Sequence, residues 1–93
     1  MKVSFEKRPG KNWGLYFEGA PDPENLYQEV KQYIRMATSY TDAPDSAIIK
    51  SSGAFIQCDC TSFLFVEFWS SAETALLATR AILKRFGLNL LTS

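Results

Sequence analysis

The chain contains no histidine. The commonest general base and the commonest metal-ligating side chain are therefore both missing. Cysteine is scarce as well: Cys58 and Cys60 alone do not make a disulfide scaffold. No apolar run approaches the roughly 20 residues that cross a bilayer, and the segment Met1–Glu6 has no apolar stretch of the signal-peptide kind. These absences predict a cytoplasmic protein with no membrane contact. Charge of either sign is not in excess, because ten basic residues balance ten acidic ones. The balance argues against nucleic acid or another polyanion as an obligatory partner. It also leaves little repulsion between copies of the chain. There is no Gly-rich phosphate loop. No serine or threonine has a histidine to activate it. Asp42 and Asp45 read as turn residues. No catalytic centre is recognisable, and no cofactor is expected.

What the sequence does hold is one domain's worth of alternating and helical patterns, residues 1–93. A chain of this size is near the range where the core is thin and oligomerisation is a common supplement. Val3 and Phe5 alternate with polar neighbours, and Trp13, Leu15 and Phe17 do the same; Pro9-Gly10 between them is a strong turn signal. The two runs read as an antiparallel hairpin. Asp22-Pro23-Glu24 opens a helix, with Asp22 as cap and Pro23 in the first helical position. Leu26, Val30, Tyr33, Ile34 and Ala37 then form one stripe, and the helix is expected to end near Tyr40.

Ala47-Ile48-Ile49 is read as a short third strand after a loop over 41–45. Ala54, Ile56, Cys58 and Cys60 alternate with Phe55, Gln57 and Asp59 as a fourth, and residues 63–69 make the fifth. Whether 46–69 holds two strands or three is left open by the pattern. Ser70 and Glu73 have the spacing of a capping box, which starts a second helix with Ala72, Ala75, Leu76, Thr79, Ile82, Leu83 and Phe86 on one stripe. Gly87 stands where a left-handed cap belongs. The expected fold is α+β, a two-layer sandwich in the order ββαβββα. Its mainly antiparallel sheet has four or five strands, with both helices on one face.

Phe63-Leu64-Phe65-Val66-Glu67-Phe68-Trp69 is apolar on both faces of its strand. Alternation sends Leu64, Val66 and Phe68 one way and Phe63, Phe65 and Trp69 the other. Two helices cover only one face. The surplus set Phe55, Phe63, Phe65 and Trp69, with Tyr16 as a candidate fifth, is expected away from the helices. Such a patch exceeds what a monomer usually exposes. Glu67, among these aromatics, is expected at the rim or paired with a cation.

The favoured function is therefore a non-enzymatic interaction or regulatory module. It would self-associate, as a dimer first, through Phe55, Phe63, Phe65, Glu67 and Trp69, and could present a second surface to a larger protein. The alternative is a small-ligand or nucleic-acid binder that adds a candidate anion site at Lys7, Arg8 and Lys11. An open aromatic sheet resembles RNA-recognition motifs in general design only, since the element order differs and the Lys/Arg-Gly-Phe signature is missing. Cys58-Asp59-Cys60 places two thiols on one face of a strand. Two thiolates are half a structural zinc site, so core packing rather than metal binding is expected.

Overall fold

The computed structural model describes residues 1–39, 44–59 and 63–90. Strands β1 (Lys2–Lys7) and β2 (Trp13–Glu18) form the expected hairpin, with Val3 opposite Phe17 and Phe5 opposite Leu15. Pro9 and Gly10 occupy the centre of a turn closed by the Lys11 N–H on the Arg8 carbonyl at 3.0 Å. Gly10 has a φ of 73°, which fits the third position of a type II turn. Helix α1 (Pro23–Ser39) follows, and its first turn is held by the Asp22 carboxylate, which accepts from the Asn25 N–H at 3.1 Å. Val30, Ile34 and Ala37 are its buried stripe. Tyr40, where the sequence puts the helix end, lies outside the described residues.

The third expected strand is not a strand. Residues Pro44–Ser52 form helix α2, so the order is ββααββα. Pro44 opens this helix and Asp45 supplies the acidic first turn, the same start signal that Pro23 and Glu24 give α1. Ile49 is buried, while Ala47 is exposed. A run of three apolar residues is too short to show a period, and β-branched Ile48-Ile49 biases the reading toward strand.

Strands β3 (Phe55–Asp59) and β4 (Phe63–Glu67) form a second antiparallel hairpin. The two hairpins join through β2 and β4, giving a four-stranded antiparallel sheet in the order β1-β2-β4-β3. The Phe68 N–H extends that central pairing to the Trp13 carbonyl at 2.9 Å. Among the described residues, 46–69 thus supply two strands, not three. Helix α3 (Ala72–Phe86) closes the fold. α1 packs on β3 and β4, α3 packs on β2, and α2 meets both other helices.

One core unites these elements. Val3, Leu15, Phe17, Ile56, Leu64 and Val66 point into it from alternate strand positions. Val30, Ile34, Ile49, Ala75, Ala78 and Ile82 meet them from the helices. The alanines of α3 let its backbone approach closely, and Phe5 stacks on Trp13 at 5.0 Å to extend the core toward the first turn.

The ends of α3 are built from side-chain and backbone caps. Ser71, not Ser70, is the N-cap: its hydroxyl accepts from the Thr74 N–H at 3.3 Å. The Ser70-Ser71 pair offers two candidates, and the chosen cap puts Glu73 in the second helical position, so no reciprocal capping box forms. At the other end Gly87 has φ 66°, its N–H reaches the Lys84 carbonyl, and the Leu88 N–H reaches the Leu83 carbonyl at 2.9 Å. That pair of bonds is a Schellman motif.

Ser71→Ala is expected to cost on the order of 1 kcal/mol in urea unfolding, and Ser70→Ala close to nothing. Gly87→Val should cost at least about 1 kcal/mol, because a β-branched residue is strained in the left-handed region. A larger loss from Ser70→Ala than from Ser71→Ala would move the cap back by one residue.

Candidate functional site

The sheet face opposite the core is laid out in rows fixed by the strand register. Gly14, Glu67 and Phe55 form one row across β2, β4 and β3. Tyr16, Phe65 and Gln57 form the next, and Glu18, Phe63 and Asp59 the one after. The five sequence-selected interface residues all belong to this face or to its continuation at Trp69. The structure divides them by burial.

Tyr16 and Phe65 sit in the middle and are covered, at 1% and 5% exposure. Their rings stack at 5.1 Å between centroids, with planes 14° apart. No described helix packs on this face over them. The Arg8 guanidinium lies 3.9 Å above the Tyr16 ring, and the Lys11 ammonium lies 5.5 Å from the Phe65 ring. Both cations come from the β1–β2 turn, which leans over the face. Cations over aromatic faces are attracted by the ring quadrupole. Arg8 is held there by charge on both sides: it pairs with Glu6 and, at 2.7 Å, with Glu18. The hydrogen bond from Arg8 holds the Glu6 carboxyl below the ordinary carboxylate range. The same two carboxylates raise the Arg8 guanidinium further above its usual value. Burial pushes the Tyr16 hydroxyl up, with Arg8 opposing.

Glu67 is also covered, at 7% exposure. One carboxylate oxygen accepts from the Asn12 backbone N–H and the other from the Gln57 side-chain amide, each at 2.9 Å. Glu67 therefore ties the first turn to β4 and β4 to β3. Asn12 and Gln57 escaped the sequence reading. Only the cross-strand register, which puts Gln57 beside the Glu67 row, could have found one of them, and nothing local marks Asn12.

Among the described side chains of this face, the large apolar ones left open are at the β3 end. Phe55 is 58% exposed and Trp69 is 68% exposed. Extending the β3–β4 register by two residues sets Trp69 opposite Gly53, and the two are in close contact there. Phe55 and Trp69 are thus diagonal neighbours on one face, within reach of each other's large side chains. The Phe63 backbone pairs with Glu18 and Asp59, but its side chain lies outside the described atoms.

The candidate anion site is brought together by the first turn but is engaged internally. Arg8 has its two carboxylates, and the Lys7 ammonium donates to the Lys11 carbonyl at 3.2 Å. The side chain of Cys58 and the whole of Cys60 lie outside the described residues, so the cysteine motif receives no structural account. Among the described residues no three Cys, Asp or Glu side chains are placed to hold a metal. No described helix is long and apolar enough to cross a membrane. No protein-family model matches this chain, and comparison with curated proteins and with solved structures finds no match either.

Two outcomes follow for the covered part of the face. Glu67→Ala leaves the Gln57 amide and the Asn12 N–H without their acceptor, and should destabilise by about 1–3 kcal/mol with increased binding of an apolar dye. The second outcome concerns pH. The folded Glu6 value lies below the unfolded one, so its contribution is present above the ordinary carboxylate range and disappears as pH falls through it. The difference in urea midpoint between wild type and Glu6→Gln should be present near neutral pH and shrink as the pH falls through the lowered Glu6 value. A difference that does not change with pH would remove Glu6 from the Arg8 pairing.

Proposed function

We propose that this chain is a non-enzymatic interaction module that self-associates through the β3 side of its open sheet face, anchored by Phe55 and Trp69. The observation that carries the reading is the pairing of two large aromatics, both more than half exposed, on adjacent positions of one face. In this reading the molecule is a two-layer α+β unit whose helices share the core face, and it works in the cytoplasm, in keeping with its sparse cysteine. The occupant of the surface is a second copy of the chain. Equal numbers of acidic and basic residues let two copies meet without net repulsion. A two-fold contact lets Phe55 and Trp69 of each copy bury against the other. Gln57 and the Glu6–Arg8–Glu18 cluster supply a polar rim.

The area sets the strength. Two aromatics at these exposures offer on the order of 300 Å² per copy. A standard interface takes about 800 Å² per partner, so the aromatic anchors account for less than half of one. The self-association is accordingly of the weak, reversible kind rather than obligate. The runner-up, a base-stacking or anion-binding face, requires Arg8 to leave Glu6 and Glu18 and the Tyr16–Phe65 stack to open.

Sedimentation of the wild type should show reversible dimers at high micromolar concentration. Trp69→Ala and Phe55→Ala should each weaken them by about tenfold or more, with unchanged circular dichroism. A wild type that stays strictly monomeric across that range ends the self-association reading.

A further inference from the structure

A cleft of about 810 Å³ opens between α1, the first turn of α2 and the last turns of α3, away from the aromatic sheet face. Its volume lies within the range of small-molecule sites. Tyr33 and Phe86 form an aromatic corner, with ring centroids 5.9 Å apart and planes at 84°. Met36, Ala37 and Ala81 extend the apolar wall, and Met36 is exposed there. Two cations and two anions share the same lining: Lys84 and Arg85 from α3, Glu29 from α1 and Asp45 from α2. Both ion pairs found among the described residues are at Arg8, so none of these four charges is paired within salt-bridge distance there. The Arg85 guanidinium instead lies 6.0 Å from the Tyr33 ring and 5.6 Å from that of Phe86. Both of its neighbouring rings line the cleft.

Long charged side chains lay their stems along apolar surface and keep their charged ends in water; Glu29, Lys84 and Arg85 are exposed and Asp45 is half-buried. Here both signs face one apolar recess and remain apart. A simple anion would meet Glu29 and Asp45, and a simple cation would meet Lys84 and Arg85. Only a ligand with both charges complements the whole lining. The apolar corner asks for a flat or branched apolar group on the same molecule. Burial pushes the Tyr33 hydroxyl up, and Asp45 adds to this while Arg85 opposes it. Tyr33 therefore stays a neutral hydrogen-bond donor between the two signs of charge.

We propose that this cleft binds a small zwitterion of the amino-acid class with an aromatic side group, its acid on Lys84 and Arg85 and its ammonium on Asp45 or Glu29. The site is independent of the self-association surface, since it shares no residue with it.

The probes are phenylalanine, N-acetylphenylalanine and phenylalanine amide, which keep one body and carry both charges, the acid only, or the ammonium only. Amide chemical shifts of the full chain are followed to about 10 mM ligand, the range where small ligands of modest affinity bind. Phenylalanine should shift resonances of Tyr33, Met36, Asp45 and Arg85. It should bind about threefold to fivefold tighter than either single-charge probe, the worth of one partly exposed ion pair. Arg85→Gln should reduce the advantage of phenylalanine over phenylalanine amide, with unchanged circular dichroism showing that the variant is folded. Saturating absence of shifts, equal binding of all three probes, or shifts centred on Phe55 and Trp69 would each overturn the proposal.

Discussion

Strand β4 is apolar on both faces, and the chain has helices in contact with only part of the sheet. That constraint shapes the rest of the molecule. Leu64 and Val66 are absorbed into the common core. Phe65, on the opposite face, cannot be. Leaving it and Tyr16 wet would forgo about 25 cal/mol for each Å² of apolar surface. The chain solves this without a third layer by folding its own first turn over the pair. Arg8 and Lys11 cover the rings with the stems and cationic ends of their side chains. The outer surface of the cover is charged, so a buried aromatic stack coexists with a hydrated exterior.

The cover demands a particular geometry beneath it. The Tyr16 ring passes close to Gly14 as it stacks on Phe65. A Cβ at Gly14 would come within 2.9 Å of the Tyr16 ring and 3.3 Å of the Val66 carbonyl. Glycine at this strand position is therefore a matter of close approach rather than of turn conformation. Glu67 completes the arrangement. A buried carboxylate without partners would be costly, but this one accepts one hydrogen bond from the turn and another from β3. It fixes how far the turn leans over the face. The aromatic stack, the cation cover and the carboxylate tie thus belong to one unit spanning residues far apart in sequence.

The parts of this architecture carried by period and punctuation were legible in the sequence. The first hairpin followed from alternation around Pro9-Gly10, α1 from Asp22-Pro23 and its stripe, and the end of α3 from Gly87. Helix α2 was not legible, because Ala47-Ile48-Ile49 shows no period and its β-branched residues favour the wrong class; its proline start was the signal that should have decided it. The cap of α3 was misplaced by one residue because adjacent serines are equivalent until the backbone chooses. At the candidate site, alternation alone put Phe55, Phe65, Glu67 and Trp69 on one side. Their unequal burial was invisible, because it depends on a turn some fifty residues away in sequence from β4. The sequence places Glu67 at a rim or beside a cation, whereas its two carboxylate oxygens accept from the neutral donors of Asn12 and Gln57.

The position of the open patch follows from the same cover. The turn that supplies Arg8 and Lys11 belongs to the β1–β2 hairpin, at one side of the sheet. Strands are spaced by about 4.8 Å, so β3 lies roughly 10 Å beyond β2 and about 14 Å beyond β1. The turn reaches across β2 to β4, through the Arg8 and Lys11 side chains over Tyr16 and Phe65 and through the Asn12 backbone N–H to Glu67. It stops short of the far edge. Among the described side chains, Phe55 on β3, and Trp69 opposite the Gly53 that precedes it, are the large apolar ones of this face that remain outside the cover. Extending the loop enough to hide them would require more ordered chain, at about 1–2 kcal/mol of conformational entropy per residue. A second copy supplies that surface already folded. Covering the β3 end by intermolecular contact, as in the proposed self-association, is therefore less demanding than lengthening the chain, and the limited reach of the first turn accounts for where the open patch lies.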